Sequence, residues 1–459
     1  MDVVEKPMIS VGVMAAKGTV HIRLTGPFRM DRGVTLPPGE YAVRADKDRV
    51  LLSNPSGETS VAQRSLALIP GSPTESRVLL RSVPVGTGFH WQQYQDRTFE
   101  GRLEMQPIGG MNLQVINRLP LETYLSSVVG SEMSENAPSE FLKAHAVISR
   151  SWAIRRVEAE YAPPPSPATS TDQTDRDTIF RWTGTQIHDG FDVCADDHCQ
   201  RYRGFQGAAA SNPTRAVQNT RGEVLVYGDR ICDTRYSKCC GGMTENFSAA
   251  WEDKEVPYLR SLPDNDQPPS PSCLPLSVED NARAWITSFP EAYCNVEDRH
   301  LLGSILPSLD SRTVDFFRWQ TRYSQEELGL TIVQKTGMDL GHILDLMPLQ
   351  RGTSGRIIRL RIVGTKRSLI VGKELEIRRV LSPTHLYSSA FVVFKEPDTK
   401  NVPNAFRFVG AGWGHGVGLC QIGAAILALR GKTYRAILDH YFPGADLRPG
   451  YGKLKRSGQ

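Results

Sequence analysis

Apolar and polar positions alternate along much of the first hundred residues. In Thr19-Val-His-Ile-Arg-Leu24 and Ile9-Ser-Val-Gly-Val13 nearly every second side chain is apolar, and Tyr41-Ala-Val-Arg44 follows the same beat. A period of two is that of a strand with one face toward a core. Turn residues at Pro37-Pro-Gly39 and Asn54-Pro-Ser-Gly57 divide these runs. Residues 77–84 and 99–105 read as further strands. The pattern predicts an all-β module over residues 1–107, with no chemistry visible in it.

The period then lengthens. Residues 113–116 read as a strand, and residues 121–129 as a short helix with Pro120 near its start. A second helix is predicted from about Ser139 to Val157. Its Leu142, Ala146 and Ala153 share a face that Phe141, Val147 and Ile154 widen, and Pro138 and Ser139 supply its start. Residues 161–178 are rich in Pro, Ser and Thr and predict a mobile surface insertion. Strands return at 223–227, 231–237, 355–363 and 389–394, and a helix at 421–430. The expectation is a mixed α+β chain with a β-rich N-terminal module.

Composition adds limits. A chain of 459 residues with 40% hydrophobic content can bury a sizeable core without staples. Its net charge of +4 is not gathered in a basic block, which argues against a dedicated nucleic-acid binder but tolerates an anionic polymer. No apolar run reaches the length of a membrane span. Residues 1–8 lack the apolar region of a signal peptide, so the expectation is a cytosolic protein or one whose leader was removed.

Four places carry candidate chemistry. The densest is 410–424, GAGWGHGVGLCQIGA, where six glycines surround His415 and Gln421. Such a run reads as a left-handed turn or a close approach to a ligand, against the plainer alternative of a structural turn before the last helix. It does not have the spacing of a phosphate-binding loop. Glu132 falls between two predicted helices. Shielded there, its carboxyl would be raised in pKa and suited to general acid work; in solvent it is only a helix-end or capping group. Cys194, His198 and Cys199 fall within six residues, suiting zinc, a disulfide to Cys239-Cys240, or free thiols. Thr244 and Glu245 follow a Gly-Gly turn and either line a cleft or cap the turn. Cys420 reads as an incidental small core residue.

In order along the chain, residues 119–133, 142–153, 192–204, 216–227 and 239–245 resemble blocks of the SpoIID/LytB family of bacterial cell-wall proteins. So do residues 354–356, 376–378, the glycine loop and 440–444. The resemblance implies a mixed strand-and-helix core around a long cleft, over residues 108–450. It implies either a lytic transglycosylase that cuts peptidoglycan glycan strands, preferring peptide-stripped ones, or a non-catalytic enhancer of a cell-wall amidase. Glu132 matches the catalytic glutamate. His415, Gln421, Thr244, Glu245 and Arg150 become candidate substrate-holding residues. A zinc with a structural or cleft-shaping role is implied at Cys194, His198 and Cys199, with His188 added by proximity; a catalytic, water-activating zinc is the alternative. The implied substrate lies outside the cytoplasm, so a periplasmic or extracytoplasmic location is expected despite the leaderless N-terminus. Two departures stand out: His145 occupies a position where the family helix usually has Gln, and Ile148-Ser149 replace small residues. His145 reads as a surface exchange, with a further site residue as the alternative.

Overall fold

The structure is a computed structural model. It describes residues 7–30, 33–54, 56–57, 59–87, 92–160, 173–182, 188–207, 211–267, 274–307, 310, 315–396 and 402–451.

Alternation in the N-terminal strands becomes two facing sheets. Strand Thr19–Thr25 buries Val20, Ile22 and Leu24 and turns the side chains between them to solvent. It lies in a six-stranded antiparallel sheet with Gly39–Asp46 and Arg77–Val85 as its neighbours. Strand Met8–Lys17 belongs to a second, seven-stranded sheet. It pairs antiparallel with Asn112–Pro120 and parallel with the short strand Val193–Cys194. The expected boundary at residue 107 falls inside a hairpin, because Arg102–Pro107 pairs with Asn112–Pro120. The β-rich region and the start of the SpoIID-like region therefore share a sheet. The predicted strand over 99–105 is two strands, Gln93–Phe99 and Arg102–Pro107, parted at Glu100-Gly101.

Strand Asn112–Pro120 leads directly into helix Leu121–Glu132, whose Leu121, Tyr124, Leu125, Val128 and Val129 are buried. Helix Ser139–Glu160 crosses it as the axis of the helical layer, packed against helices Asn212–Asn219, Gln421–Leu429 and Tyr434–Tyr441. One apolar core runs continuously from the N-terminal strands through these helices. No helix among the described residues is long and apolar enough to cross a membrane.

Residues beyond 315 build a second core around Leu328, Ile332, Leu360, Ile362, Phe406 and Phe408. Strands Arg318–Ser324, Ala405–Ala411 and Phe391–Glu396 form one antiparallel sheet there. Strands Ile343–Arg351, Ile357–Gly364 and Ser368–Gly372 form another. Helix Gln325–Thr336 starts at a capping box, Ser324 with Glu327, and stops at left-handed Gly337. Of the expected insertion, residues 161–172 lie outside the described residues. Its end is ordered: Gln173–Thr174 pairs with Thr178–Phe180, which extends the second of these sheets beside Ser368–Gly372.

Arg150 locks the helical layer. Its side chain is fully buried and makes two 2.8 Å bonds to the carboxylate of Glu122. It also donates to the carbonyls of Val217 and Glu223 at 3.2 and 3.1 Å. Arg150→Met would strand those acceptors and one half of a buried ion pair. A loss of about 3 kcal/mol in unfolding free energy is expected in denaturant melts. A loss below about 1 kcal/mol, the scale of an exposed pair, would contradict this anchoring role.

Candidate active site around Glu132

Glu132 is the last residue of helix Leu121–Glu132 and is 7% exposed. Oε1 accepts hydrogen bonds from the backbone N–H of Arg201 and the hydroxyl of Tyr236, both at 3.0 Å. No hydrogen-bond partner for Oε2 occurs among the described residues. Lys238 donates to the Glu132 carbonyl at 2.9 Å and pairs with Asp310 at 2.9 Å. The Arg201 guanidinium grips both oxygens of Asp310 at 3.1 Å and also pairs with Asp197.

This arrangement reverses the expected electrostatics. Burial pushes the Glu132 carboxyl up, and a helix C-terminus is itself unfavourable for an anion. Arg201 and Lys238 pull it down further than that, so its pKa lies below the ordinary carboxylate value. The shielding that the sequence suggested is present; the raised pKa is not. Asp310 is driven well down by Lys238 and Arg201 against its own burial.

His145 is no surface exchange. It is fully buried on helix Ser139–Glu160, its ring 4.9 Å from that of Tyr236. The Gln421 amide nitrogen lies 3.0 Å from Nε2 and the Ser149 hydroxyl 3.1 Å from Nδ1. With Gln421 donating, Nε2 is the acceptor and Nδ1–H donates to Ser149, a neutral ring. Burial holds its pKa down at about 4, with Glu132 acting the other way.

The metal candidates do converge. The ligand atoms of His188, Cys194, His198 and Cys199 all lie within 4.8 Å of one another. His188 Nε2 is 3.2 Å from Cys199 Sγ, and His198 Nδ1 is 3.5 and 3.8 Å from the sulfurs of Cys199 and Cys194. Tetrahedral zinc places its sulfur and nitrogen ligands about 3.6 Å apart, so this donor set fits zinc by geometry and by chemistry. A hydrogen bond from Cys199 holds the Cys194 thiol far below its usual range. That shared proton is what a metal ion would displace. The parallel pairing of Val193–Cys194 with Met8–Lys17 positions the loop, and Asp196 ties it to the backbone of Gly86 and Thr87. Arg201, two residues past Cys199, carries the loop to Glu132. The disulfide alternative to Cys239-Cys240 is not what the fold contains: these cysteines are free and lie in separate clusters.

The glycine loop has its left-handed turns, but what approaches it is the protein itself. At Gly416 (φ 76°) a Cβ would run into the Arg356 guanidinium, and at Gly418 (φ 74°) into the Arg235 carbonyl. Arg356 is fully buried and donates to the carbonyls of Gly414 and Cys240. The loop is thereby pressed against residues 235–240, where strand Leu419–Cys420 pairs in parallel with Tyr236–Ser237. His415 is half-buried, its Nδ1 accepting from Val417 N–H at 3.0 Å and its ring edge-on to Trp251. Burial and then Arg235, Arg356 and Arg378 hold it well below its usual pKa, so it is a neutral ring.

Four expected substrate-holding residues are occupied by the fold. Gln421 is 2% exposed and bonded to His145. Arg150 is the buried anchor described above. Glu245 is fully buried and accepts from the backbone and hydroxyls of Thr353 and Ser354. Thr244 accepts from Leu262 N–H at 2.7 Å and donates to Arg260 O. Of that set only His415 keeps partial exposure. The partners of Glu132 that sequence reasoning passed over are Arg201, Tyr236, Lys238 and Asp310. Tyr236 and Lys238 carried a signal, two apart in an extended segment and so on one face. Asp310 carried none.

His145 makes acid stability a measurable consequence of this packing. Its folded pKa of about 4 lies below the ordinary 6.5, so the unfolded chain takes up the proton first. Its contribution is whole above pH 6.5 and drains away as pH falls toward 4, by at most about 3 kcal/mol. His145→Gln, which retains an amide for Gln421, is expected to flatten stability between pH 7.5 and about 4.5 relative to wild type in denaturant melts. Equal acid losses in the two proteins would contradict the buried neutral ring.

Comparison with known proteins identifies relatives of this chain. Residues 110–227 match the family described as stage II sporulation protein (SpoIID), and residues 245–418 match a domain of unknown function, DUF8618. Stage II sporulation protein D of Bacillus amyloliquefaciens is 25% identical over 333 residues, covering 72% of this chain and 75% of that protein. The Bacillus subtilis (strain 168) protein of the same name is 24% identical over 335 residues, 73% of this chain and 76% of its own. The amidase enhancer of B. subtilis (strain 168) is 25% identical over 332 residues, 70% of this chain but 40% of that protein. The segment that carries Glu132, helix Ser139–Glu160 and the Cys/His cluster thus matches the SpoIID family model, and the chain is similar to stage II sporulation protein D over about 72% of its length.

Proposed function

We propose that this protein acts on the bacterial cell wall as a peptidoglycan lytic transglycosylase, with Glu132 as its single acid and base. The observation that carries the reading is a carboxylate more than nine-tenths buried, with Oε1 fixed by two donors and Oε2 left for a substrate proton. Protonated Glu132 gives its proton to the oxygen between N-acetylmuramic acid and N-acetylglucosamine, and that C–O bond breaks. The carboxylate then takes the proton of the muramic C6 hydroxyl, whose oxygen bonds to C1. A 1,6-anhydro end forms, no water is consumed, and Glu132 is protonated again. One group serves both steps, so two carboxylates at a fixed separation are not required. His415 remains the candidate for holding a sugar hydroxyl. Zinc at His188, Cys194, His198 and Cys199 would supply structure: it would fix the loop that delivers Arg201 N–H to Glu132.

A second reading is supported by the same bonds. Glu132 ties its helix to the metal loop and to Tyr236, and a carboxylate held below its usual pKa suits that structural task. The chain would then bind glycan and stimulate a cell-wall amidase.

The protein incubated alone with peptide-stripped glycan strands separates the two. Anhydro-muramic ends detected by mass spectrometry, and lost by at least about a hundredfold in Glu132→Gln, are expected. Their absence with wild type, or an active Glu132→Gln, overturns the transglycosylase reading. The pKa direction adds a sign. Only protonated Glu132 can start the reaction, so kcat/KM should fall as pH rises above the carboxylate range. Lys238→Met removes a cation that favours the ionised form, and this falling limb should move up by about one pH unit. Chelation of the zinc should release Arg201 and lower activity with a change in near-ultraviolet circular dichroism. Loss of activity with an unchanged spectrum would instead indicate a catalytic metal.

A further inference from the structure

Cys420 is not an incidental core residue. Its sulfur, those of Cys240 and Cys294, and a carboxylate oxygen of Asp264 all lie within 4.8 Å of one another, and every one of these residues is at most 2% exposed. They come from four separate places: the loop after Tyr236–Ser237, the 263–266 turn, the segment before helix Arg299–Ile305, and the start of helix Gln421–Leu429. We propose that Cys240, Cys294, Cys420 and Asp264 form a second, wholly buried site for a tetrahedral divalent metal, of the zinc class, distinct from the Cys/His site beside Glu132.

Geometry, electrostatics and hydrogen bonding each support it. The Cys240 and Cys294 sulfurs are 3.6 Å apart. Two thiolates on one zinc stand about 3.8 Å apart. The Cys240 N–H points at the Cys420 sulfur at 3.2 Å, a bond that favours thiolate over thiol. Asp264 is oriented as metal-bound carboxylates are: one oxygen accepts from Tyr441 at 2.6 Å and the other from Cys294 N–H at 3.0 Å. Three thiolates and a carboxylate around a dication leave two negative charges. Two arginines flank the cluster, Arg356 fully buried and Arg318 half-buried, and neither forms an ion pair among the described residues. Arg356 holds the Cys240 carbonyl and Arg318 the Gly241 carbonyl. An unpaired buried cation is costly, and an anionic metal centre would supply the counter-charge of Arg356. Metal binding releases the thiol protons and involves no oxidation.

A disulfide accounts for less. It would consume two of the three converging sulfurs and leave a third with a buried carboxyl. Cys239 packs beside the cluster in contact with Cys294 and Cys420 and is not needed as a ligand.

Placement gives the site a consequence for Glu132. Cys240 lies two residues past Lys238 and four past Tyr236, and Cys420 immediately precedes Gln421. The ion would clamp together the two strands that present the partners of Glu132 and His145.

The test is metal stoichiometry on the full chain, purified with zinc and a reductant. Wild type is expected to hold two zinc ions. Cys294→Ser and Cys199→Ser should each hold one, and Cys239→Ser should keep two. One zinc in wild type, absent from Cys199→Ser, overturns the proposal. So does a Cys240–Cys294 disulfide found by peptide mapping of protein made without reductant. X-ray absorption of wild type needs no variant to fold: about 2.5 sulfurs per zinc are expected, against about two if the Cys/His site is the only one filled.

Discussion

A carboxylate removed from water survives as an anion only where cations are brought to it, and most of this site is the means of bringing them. Glu132 faces three opposing influences: burial, a helix C-terminus, and the neighbouring acid Asp197. Arg201 and Lys238 outweigh them, and Asp310 holds those two cations side by side. Neither cation comes from the helix that carries Glu132. Arg201 arrives on the Cys/His loop and Lys238 on the chain leaving Tyr236–Ser237. The network therefore exists only when four separate segments meet, and losing any member leaves a buried charge uncompensated, at a cost of several kcal/mol.

Glycine makes that meeting possible. Residues 235–240 and 410–420 run so close together that side chains on the loop would strike Arg356 or the Arg235 carbonyl. The two-residue parallel ladder between Tyr236–Ser237 and Leu419–Cys420 needs this approach. Through it the loop reaches Glu132 indirectly, by way of Tyr236 and by Gln421 against His145. A glycine-rich segment can thus shape a site through its backbone: it supports the strand that presents Tyr236 to Glu132.

Period and punctuation made the architecture readable. Alternation in Thr19–Thr25 is a direct record of burial, whereas the middle of helix Ser139–Glu160 is buried on every side, polar His145, Ser149 and Arg150 included, so its apolar face understated how deeply it lies. Helix Gln325–Thr336 was missed, although its capping box at Ser324 and Glu327 and its stop at Gly337 are both written in the sequence. Polar residues behaved differently. Arg150, Thr244, Glu245 and Gln421 have the chemistry of sugar-binding groups, but that chemistry serves the backbone equally well, and here each meets its partner within the fold. Residue type states what bond a side chain can make; only packing states with whom. The reverse error applies to Cys420 and His145, whose neighbours in space lie more than a hundred residues away.

The depressed pKa of Glu132 bears on how one carboxyl can serve two steps. In the proposed transglycosylase reaction, a group that must donate and then accept loses in the second step what it gains in the first: the cations that make it a stronger acid also make it a reluctant base. In the free protein the balance favours the anion. A glycan strand laid over the site would exclude water and raise the carboxyl through desolvation, while Tyr236 and Arg201 N–H, fixed to Oε1, would hold its orientation. The cations thus limit how far burial can raise the pKa, and the substrate supplies the rest of the burial. Lys238 and Arg201 would then set the working pH range, and the Cys/His loop the geometry through which Arg201 acts.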